Sequence, residues 1–406
     1  MAKPLDGIRV LEWCVWIAGP GSGVLLGDLG AEIIKIEEPG AGDPSRGGIE
    51  HLQGLNQRSA EASYGFSLQN RNKRSIAIDL SNPKGQEIVY RLVQKCDVFL
   101  QNFRPEVRDR VKMDYGTLSR YNPKLVYCNI SALGPDGPDN WRRGNDTVGQ
   151  ARSGFMSSQR TVLGQPGSSG GVSADHMTSI TATYGILAAL LARERLGVGQ
   201  EIATSIVGAM VFLQGYNMRP ASITRQELPR RDRKSAVNPI ANYYECKDGK
   251  WILLMVLAAD IVWPDVCKAL GIQAMEKDPR FENSNKRAEN NRELIGILER
   301  VFATKTRGEW EEILGKYHRI MYSRINELSE LPDDPQITEN NYVVEYNQPP
   351  FGDVKVAGCP IKFYDTPAGI QTPAPEFAQH TEEVLSGLGG YSQDEISQFK
   401  AEKIIE

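Results

Sequence analysis

The chain has 406 residues, 40% of them hydrophobic, which exceeds one typical domain and leads us to expect two. Its 47 basic against 51 acidic residues give a net charge of −4 with no long run of one sign, which argues against nucleic acid or an anionic membrane surface as the main partner. No apolar run reaches the length of a membrane helix and the opening MAKPLDG has no signal-peptide core, so the expected location is the cytoplasm.

From the amino end, Gly7–Leu11 reads as a strand, Pro20–Leu29 as a helix and Ala31–Glu37 as the next strand, an opening βαβ unit. The turn GPGSG, with Glu37 eighteen residues after Gly19, imitates a dinucleotide-binding fingerprint. The imitation is imperfect. Gly19, Gly21 and Gly23 give GxGxG where the fingerprint needs GxGxxG, and Pro20 sits inside the turn, so close strand-to-helix packing is the simpler explanation.

Strand Ser75–Leu80, helix Pro83–Lys95 and strands Val98–Gln101 and Leu125–Ser131 continue the alternation. The expected fold class is α/β, with a doubly wound, Rossmann-like parallel sheet in the large domain and ligands at the carboxyl ends of its strands. Two loops follow such ends. Asn102–Arg110 holds Arg104, Arg108 and Arg110, and Ala132–Asp146 holds Arg142 and Arg143. Guanidinium groups there suit phosphates, and equally suit a solvated charged rim.

The stretch Gly164–Gln200 carries a glycine and serine run, Gly167–Gly171, leading into a helix expected over Ala174–Arg193. Met177, Ile180, Tyr184, Leu187 and Leu191 recur as its buried face, with Ser173 as the cap. Asp175 falls in the first turn, where amide donors and the helix dipole stabilise an anion, and a helix-start acid accounts for it without any function.

Helix Ser205–Gly215 gives way to a charged stretch, Arg219–Pro239, which reads as a linker. A small α+β domain follows. Strands Ala241–Glu245 and Trp251–Met255 flank an Asp248-Gly249 hairpin signal, and helices are expected over Ile261–Leu270, Arg287–Phe302 and Arg307–Tyr317. In the last, Trp310, Ile313, Leu314 and Tyr317 form a core stripe. The six cysteines (Cys14, Cys96, Cys128, Cys246, Cys267, Cys359) include no CxxC pair, and the four histidines (His51, His176, His318, His380) are not at ligand spacing, so no metal is expected.

Several segments follow one another in a recognisable order. They are KPLDGIRVLEW (Lys3–Trp13), IAGPGSG (Ile17–Gly23), LGDLGAEIIKIEEPGAGDPSR (Leu26–Arg46), NKRSIAIDL (Asn72–Leu80), QNFRP (Gln101–Pro105) and YNPKLVYCNISALGPDGP (Tyr121–Pro138). The Asp175 helix, DPQ (Asp334–Gln336) and the segment Gly358–Gly389 complete the set. In this the chain resembles the CaiB/BaiF family, the class III CoA-transferases, over its whole length.

The resemblance implies that Asp175 is the catalytic nucleophile and that CoA enters as a substrate, with no permanently bound cofactor. It maps CoA contacts onto Ile17, Ala18, Asp79, Leu80, Ser81, Asn102, Phe103, Arg104, Arg110, Arg143, Gly144, Asn145 and Asp146. It implies a large domain beginning with 1–215, a linker 216–239, a small domain 240–325, and a return crossing 326–406 that completes the large domain. Protomers are expected as rings interlocked in a homodimer, or in a heteromer with a related subunit. Two positions depart from the formyl-CoA transferase-like pattern, Glu38 in place of Arg and Ser81 in place of Lys. Arg71, Lys73, Arg104 and Arg108 are the candidates to compensate. No glycine tetrad lies between Asn238 and Met255, where part of the family has a lid.

A carboxylate with a reference pKa near 3.9 is expected to be ionised at neutral pH and to need no neighbouring base. The implied course is attack on the donor thioester, a mixed anhydride, an aspartyl-CoA thioester, and transfer to an acceptor carboxylate through a second anhydride. Amides of the Gly167–Gly171 run are the expected oxyanion donors. Racemases of the same family carry Gly-His-Asp where this chain has Gly144, Asn145 and Asp146, and an amide accepts no α-proton. That reading, a non-catalytic subunit of a heteromer, and a dinucleotide oxidoreductase are the alternatives. The stretch Arg142–Met156 is similar to benzylsuccinate CoA-transferases, two-subunit enzymes, with which succinyl-CoA goes as the donor. Trp13, Trp16, Phe155 and Met156 either line an aromatic pocket or are ordinary core.

Overall fold

Six strands run parallel in one sheet: β1 (Arg9–Trp13), β2 (Glu32–Glu37), β3 (Lys73–Ala77), β4 (Val98–Gln101), β5 (Val126–Ser131) and β6 (Gln200–Ser205). Their order across the sheet is β3-β2-β1-β4-β5-β6, so the winding reverses between β1 and β4. The computed structural model describes residues 2–47, 63–159, 164–227 and 232–406; His51 lies outside them. The fold is the expected α/β, with helices on both faces of the sheet.

Alternation along the strands builds two cores. On one face Leu11, Ile34, Ile36, Ile76 and Phe99 pack with helix residues Ile88, Val89 and Leu92 and with the C-terminal Val384, Leu385 and Ile405. On the other face Val10, Ile33, Val98, Val126 and Cys128 pack with Leu26, Ala182, Ile186 and Leu190. Among the described residues up to Thr224 the α-helices are α1 (Ala18–Asp28), α2 (Tyr64–Asn70), α3 (Pro83–Val93), α4 (Pro105–Arg110), α5 (Tyr115–Tyr121), α6 (Asp146–Arg152), α7 (Phe155–Ser158), α8 (Ser173–Leu196), α9 (Ile206–Leu213) and α10 (Gly215–Thr224). The last of these covers part of the charged stretch read as linker, including Arg219 and Pro220. The C-terminal segment returns to this sheet: the Asp79 N–H donates to Ile404 O at 2.8 Å, and the Ala77 N–H to Thr381 Oγ1 at 3.1 Å.

The GPGSG segment is not a turn. It forms the first turns of α1, because the three glycines let this helix lie against its neighbours. A Cβ on Gly21 would come within 2.5 Å of Ser179 Oγ, and one on Gly23 within 1.9 Å of Glu12 Oε2. Glycine is therefore required there for close approach.

A second compact unit covers described residues from Asp232 to Pro335. It has a three-stranded antiparallel sheet, β7 (Ala241–Glu245), β8 (Trp251–Met255) and β9 (Tyr322–Ile325), over a core that includes Trp263, Phe281, Phe302 and Trp310. The expected helix Arg287–Phe302 is broken at Asn290 into Ser284–Glu289 and Asn291–Phe302. Among the described residues no helix is long and apolar enough to cross a membrane.

Candidate active site

Open α/β sheets keep their ligand crevice at the carboxyl ends of the strands where the winding reverses, here between β1 and β4, and four of the sequence-predicted residues lie there. Asn102, just after β4, clamps the loop after β1: its Oδ1 accepts the Val15 N–H at 3.0 Å and its Nδ2 donates to Val15 O at 2.8 Å. Ile17 precedes α1 and Ala18 opens it, with Ala18 O accepting from Ser179 Oγ of α8 at 2.8 Å. The Phe103 ring stacks on Trp13 at 4.1 Å between centroids.

Asp79, Leu80 and Ser81 follow β3 on the same edge of the sheet, in a turn closed by Asp79 Oδ1 accepting from Ser81 N at 2.8 Å and Ser81 Oγ at 2.6 Å. Arg104 lies 3.6 Å from Glu106, and Arg108 pairs with Asp109 at 2.8 Å. Arg110 and Arg143 are exposed and have no ion pair among the described residues. Two of the four compensating cations are committed elsewhere. Arg71 is bidentate to Asp28 at 3.0 and 2.7 Å, and Lys73 is buried in the sheet.

Asp175 lies in the first turn of α8 and is only 8% exposed. Burial in first place, and then the Asp146 carboxylate, push its pKa up to about 7. This corrects the expectation of a carboxylate fully ionised at neutral pH: the reference value holds for a solvated group, and this one is neither solvated nor paired with a cation.

The helix start is also capped differently from expectation. Ser173 is already helical, the N-cap residue Val172 makes no side-chain cap, and Asp146 of α6 does the capping instead. Its Oδ2 accepts the Ala174 N–H at 2.7 Å and the Asp175 N–H at 3.1 Å, while its Oδ1 accepts from Gln150 Nε2. Two of the amides that would otherwise offer themselves to an anion are thus occupied. The preceding Asn145 caps α6, its Oδ1 accepting from Val148 N at 3.1 Å, and a Cβ on Gly144 would meet Ala132 at 2.6 Å.

The glycine and serine run is anchored from two sides. The Gly167 N–H donates to Met156 O at 3.0 Å, and the Ser169 N–H to Gln150 Oε1 at 3.0 Å. Of the run expected to supply oxyanion donors, these two amides are engaged inside the protein. Among the described residues Ser168, Gly170 and Gly171 keep theirs.

Nor is the expected face of α8 the buried one. Ile180, Tyr184 and Leu191 are 54%, 73% and 59% exposed, while Ala174, Thr178, Ser179, Ala182, Thr183 and Ile186 are buried. Small and hydroxyl-bearing side chains face α1 because its glycines bring the backbones together. The aromatic residues have different surroundings. Trp13 is buried against Phe103, Phe155 packs beside Met177 and Met210, and Trp16 is 45% exposed with φ at 69°.

Sequence reasoning missed three residues here. Gln150 is one; the others are Gln69 and His176, whose Nε2 atoms lie 3.2 Å apart. An amide nitrogen only donates, so the neutral imidazole carries its own proton on Nδ1. Burial, opposed by Asp146, holds the His176 pKa below its ordinary value. The four-residue spacing of Asp146 and Gln150 within a helix was the available signal, and it is too common to single out.

Behind the crevice lies a buried charge network. Glu12 of β1 pairs with Lys73 at 2.8 Å and Lys35 at 3.3 Å, and Lys35 pairs with Asp43 at 2.9 Å. Its outer contacts hold the loop after β1: Lys35 Nζ donates to Cys14 O at 2.7 Å, Lys73 Nζ to Pro20 O at 2.8 Å, and Asp43 Oδ1 accepts the Trp16 N–H at 3.2 Å.

Residues 5–381 match the family model of CoA-transferase family III. Among curated relatives, succinyl-CoA:glutarate CoA-transferase from Mus musculus is 31% identical, over 100% of this chain and 91% of its own length. Succinyl-CoA–D-citramalate CoA-transferase from Chloroflexus aurantiacus is 30% identical, over 99% and 98%. A CaiB/BaiF family protein from Brucella suis has the same fold, with a TM-score of 0.85 and 28% identity across 96% of this chain and 100% of its own.

Proposed function

This chain belongs to CoA-transferase family III and is an enzyme that transfers CoA, and from that premise we propose that it moves CoA from succinyl-CoA to a dicarboxylic acid, with Asp175 as the covalent carrier. The observation that carries the reading is Asp175 itself, a buried carboxylate at the start of α8, beside a glycine and serine loop. The donor and acceptor class rest on the relatives, whose names pair succinyl-CoA with glutarate and with D-citramalate, both dicarboxylates. Benzylsuccinate belongs to the same acceptor class.

In this reading ionised Asp175 attacks the thioester carbonyl, the C–S bond breaks, and CoA leaves as thiolate from a mixed anhydride. The thiolate then attacks the aspartyl carbonyl and expels the donor acid as a carboxylate. The acceptor carboxylate displaces CoA thiolate from the aspartyl thioester, and that thiolate takes the acceptor acyl group from the second anhydride, which frees Asp175. Each step passes through an oxyanion, for which the Ser168, Gly170 and Gly171 amides are the nearest candidates in sequence. Burial of Asp175 guards the anhydride and thioester from water.

The racemase reading lacks the histidine of its acid/base pair, since Asn145 in that position is an amide engaged in capping α6. One incubation tests both. Protein, 2-methylacyl-CoA or succinyl-CoA, and a panel of dicarboxylates in deuterated water are followed by mass spectrometry. The expected result is transfer to a dicarboxylate with no α-deuterium; α-deuteration without transfer would establish the racemase instead.

Arg104, Arg110 and Arg143 hold the CoA phosphates in this reading, on loops after neighbouring strands. Each alanine variant is expected to weaken CoA binding by about 1.5 to 3 kcal/mol. Equal affinity for CoA and dephospho-CoA in the wild type and all three variants removes the 3′-phosphate from that role. The exposed Ile180, Tyr184 and Leu191 of α8 support an obligatory dimer in this reading, and light scattering that returns a monomer would end that part.

A further inference from the structure

We propose that Gln150 is a positioning residue of the transfer reaction, its amide tying the glycine and serine loop to the carboxylate that caps the Asp175 helix. The inference rests on Asp175 as carrier and goes beyond it. Gln150 is 1% exposed, and both halves of its amide are used. Oε1 accepts from Ser169 N at 3.0 Å and Ser169 Oγ at 3.4 Å, while Nε2 donates to Asp146 Oδ1. The chain closes on itself, since Ser169 Oγ lies 2.7 Å from Ser173 Oγ at the first residue of α8.

A buried amide fixed at both ends transmits position, because moving the loop away strands the buried Gln150 Oε1 without its donors. The carboxylate it steadies is, among the described residues, the charged neighbour that acts on Asp175. Other elements packed against α8 contribute little charge at that end. Asp28 of α1 is paired with Arg71, and neither β5 nor α9 carries a charged residue. β6 carries Glu201, Arg152 of α6 is paired with Asp139, and the next residue, His176, is held toward its neutral form. Gln150 thus governs both the placement of the loop beside the reacting carboxylate and the direction in which Asp146 presents its charge.

Two variants separate this role from a merely structural one. Gln150→Leu loses both contacts and is expected to lower kcat at least tenfold at every pH, with CoA affinity within about twofold of wild type. Gln150→Glu keeps an acceptor for Ser169, and in its protonated form keeps a donor for Asp146. Its kcat is expected to approach wild type at the low end of the profile and to fall on the alkaline side as the introduced carboxyl ionises, at least tenfold below wild type by about pH 9. The wild type is expected to show no such descending limb. A Gln150→Glu profile that superimposes on wild type overturns the proposal, as does a Gln150→Leu loss that only tracks a lowered melting temperature. Hydroxylamine trapping on the wild type keeps the two readings apart: a hydroxamate at a residue other than Asp175 overturns the carrier assignment and this proposal with it, whereas trapping at Asp175 with two normal variants overturns this proposal alone.

Discussion

Asp175→Ala and Asp175→Asn are expected to lose all CoA transfer while folding at least as well as the wild type at pH 8. Nothing else described near the start of α8 offers an ionised oxygen nucleophile: Asp146 already accepts three hydrogen bonds, and Ser169 and Ser173 bond to each other. The stability claim follows from the sign of the pKa shift. The folded protein holds the Asp175 proton up to about pH 7, whereas the unfolded chain releases it near pH 3.9. Unfolding therefore becomes easier as pH rises through that window, and above it the full cost is present, on the order of 4 kcal/mol. A neutral residue removes the cost, so melting temperatures of the variants at pH 8 should match or exceed wild type.

The same shift dictates the pH dependence of the reaction. Attack needs the ionised form, so kcat/KM of the wild type should rise as pH increases through about 7 and then level off. Acyl-CoA and hydroxylamine should leave a hydroxamate on Asp175 of the wild type. A rate independent of pH between 5 and 9, or transfer by Asp175→Ala, would falsify the assignment.

What the sequence revealed and what it concealed divide along physical lines. Val98–Gln101, Ala241–Glu245 and Trp251–Met255 were legible to the residue, because short runs rich in apolar or aromatic side chains have few competing explanations when turn signals bound them. α1 was misjudged at its start, since three glycines and a proline argue for a turn until the contacts with Ser179 and Glu12 are known. Periodicity in α8 located an apolar stripe correctly and assigned it to the wrong side. A hydrophobic pattern records that a face is apolar, and says nothing about which body covers it. β6, at the edge of the sheet, reads QEIATS, with Ile202 its one large apolar residue, and left no readable pattern. At the site, Asp175 stood out only through the order of motifs around it, and the shift in its acidity comes first from burial and then from Asp146, twenty-nine residues away in the chain.

Glu12→Gln is expected to destabilise the large unit by about 3 to 5 kcal/mol, the second large effect, because it leaves the buried Lys73 ammonium without its counter-charge. Burial alone would lower both lysine pKa values. For Lys35 the Asp43 and Glu12 carboxylates outweigh burial and hold the value above the ordinary one, whereas for Lys73 burial prevails and brings it down to about 8. Lys73 is therefore the member that depends on Glu12, since Lys35 retains Asp43 when Glu12 is neutral. It follows that Lys73→Met should rescue part of the loss: the double variant should be more stable than the sum of the single changes predicts, by at least about 1 kcal/mol. The loop should suffer in both cases, because Lys73 Nζ also holds Pro20 O, one turn into the helix that Ala18 opens. Chemical denaturation of the four proteins, with CoA titration of each, measures both consequences. Strict additivity would mean that Glu12 and Lys73 act independently, and unchanged CoA affinity in Lys73→Met would mean that the network supports the sheet without shaping the crevice.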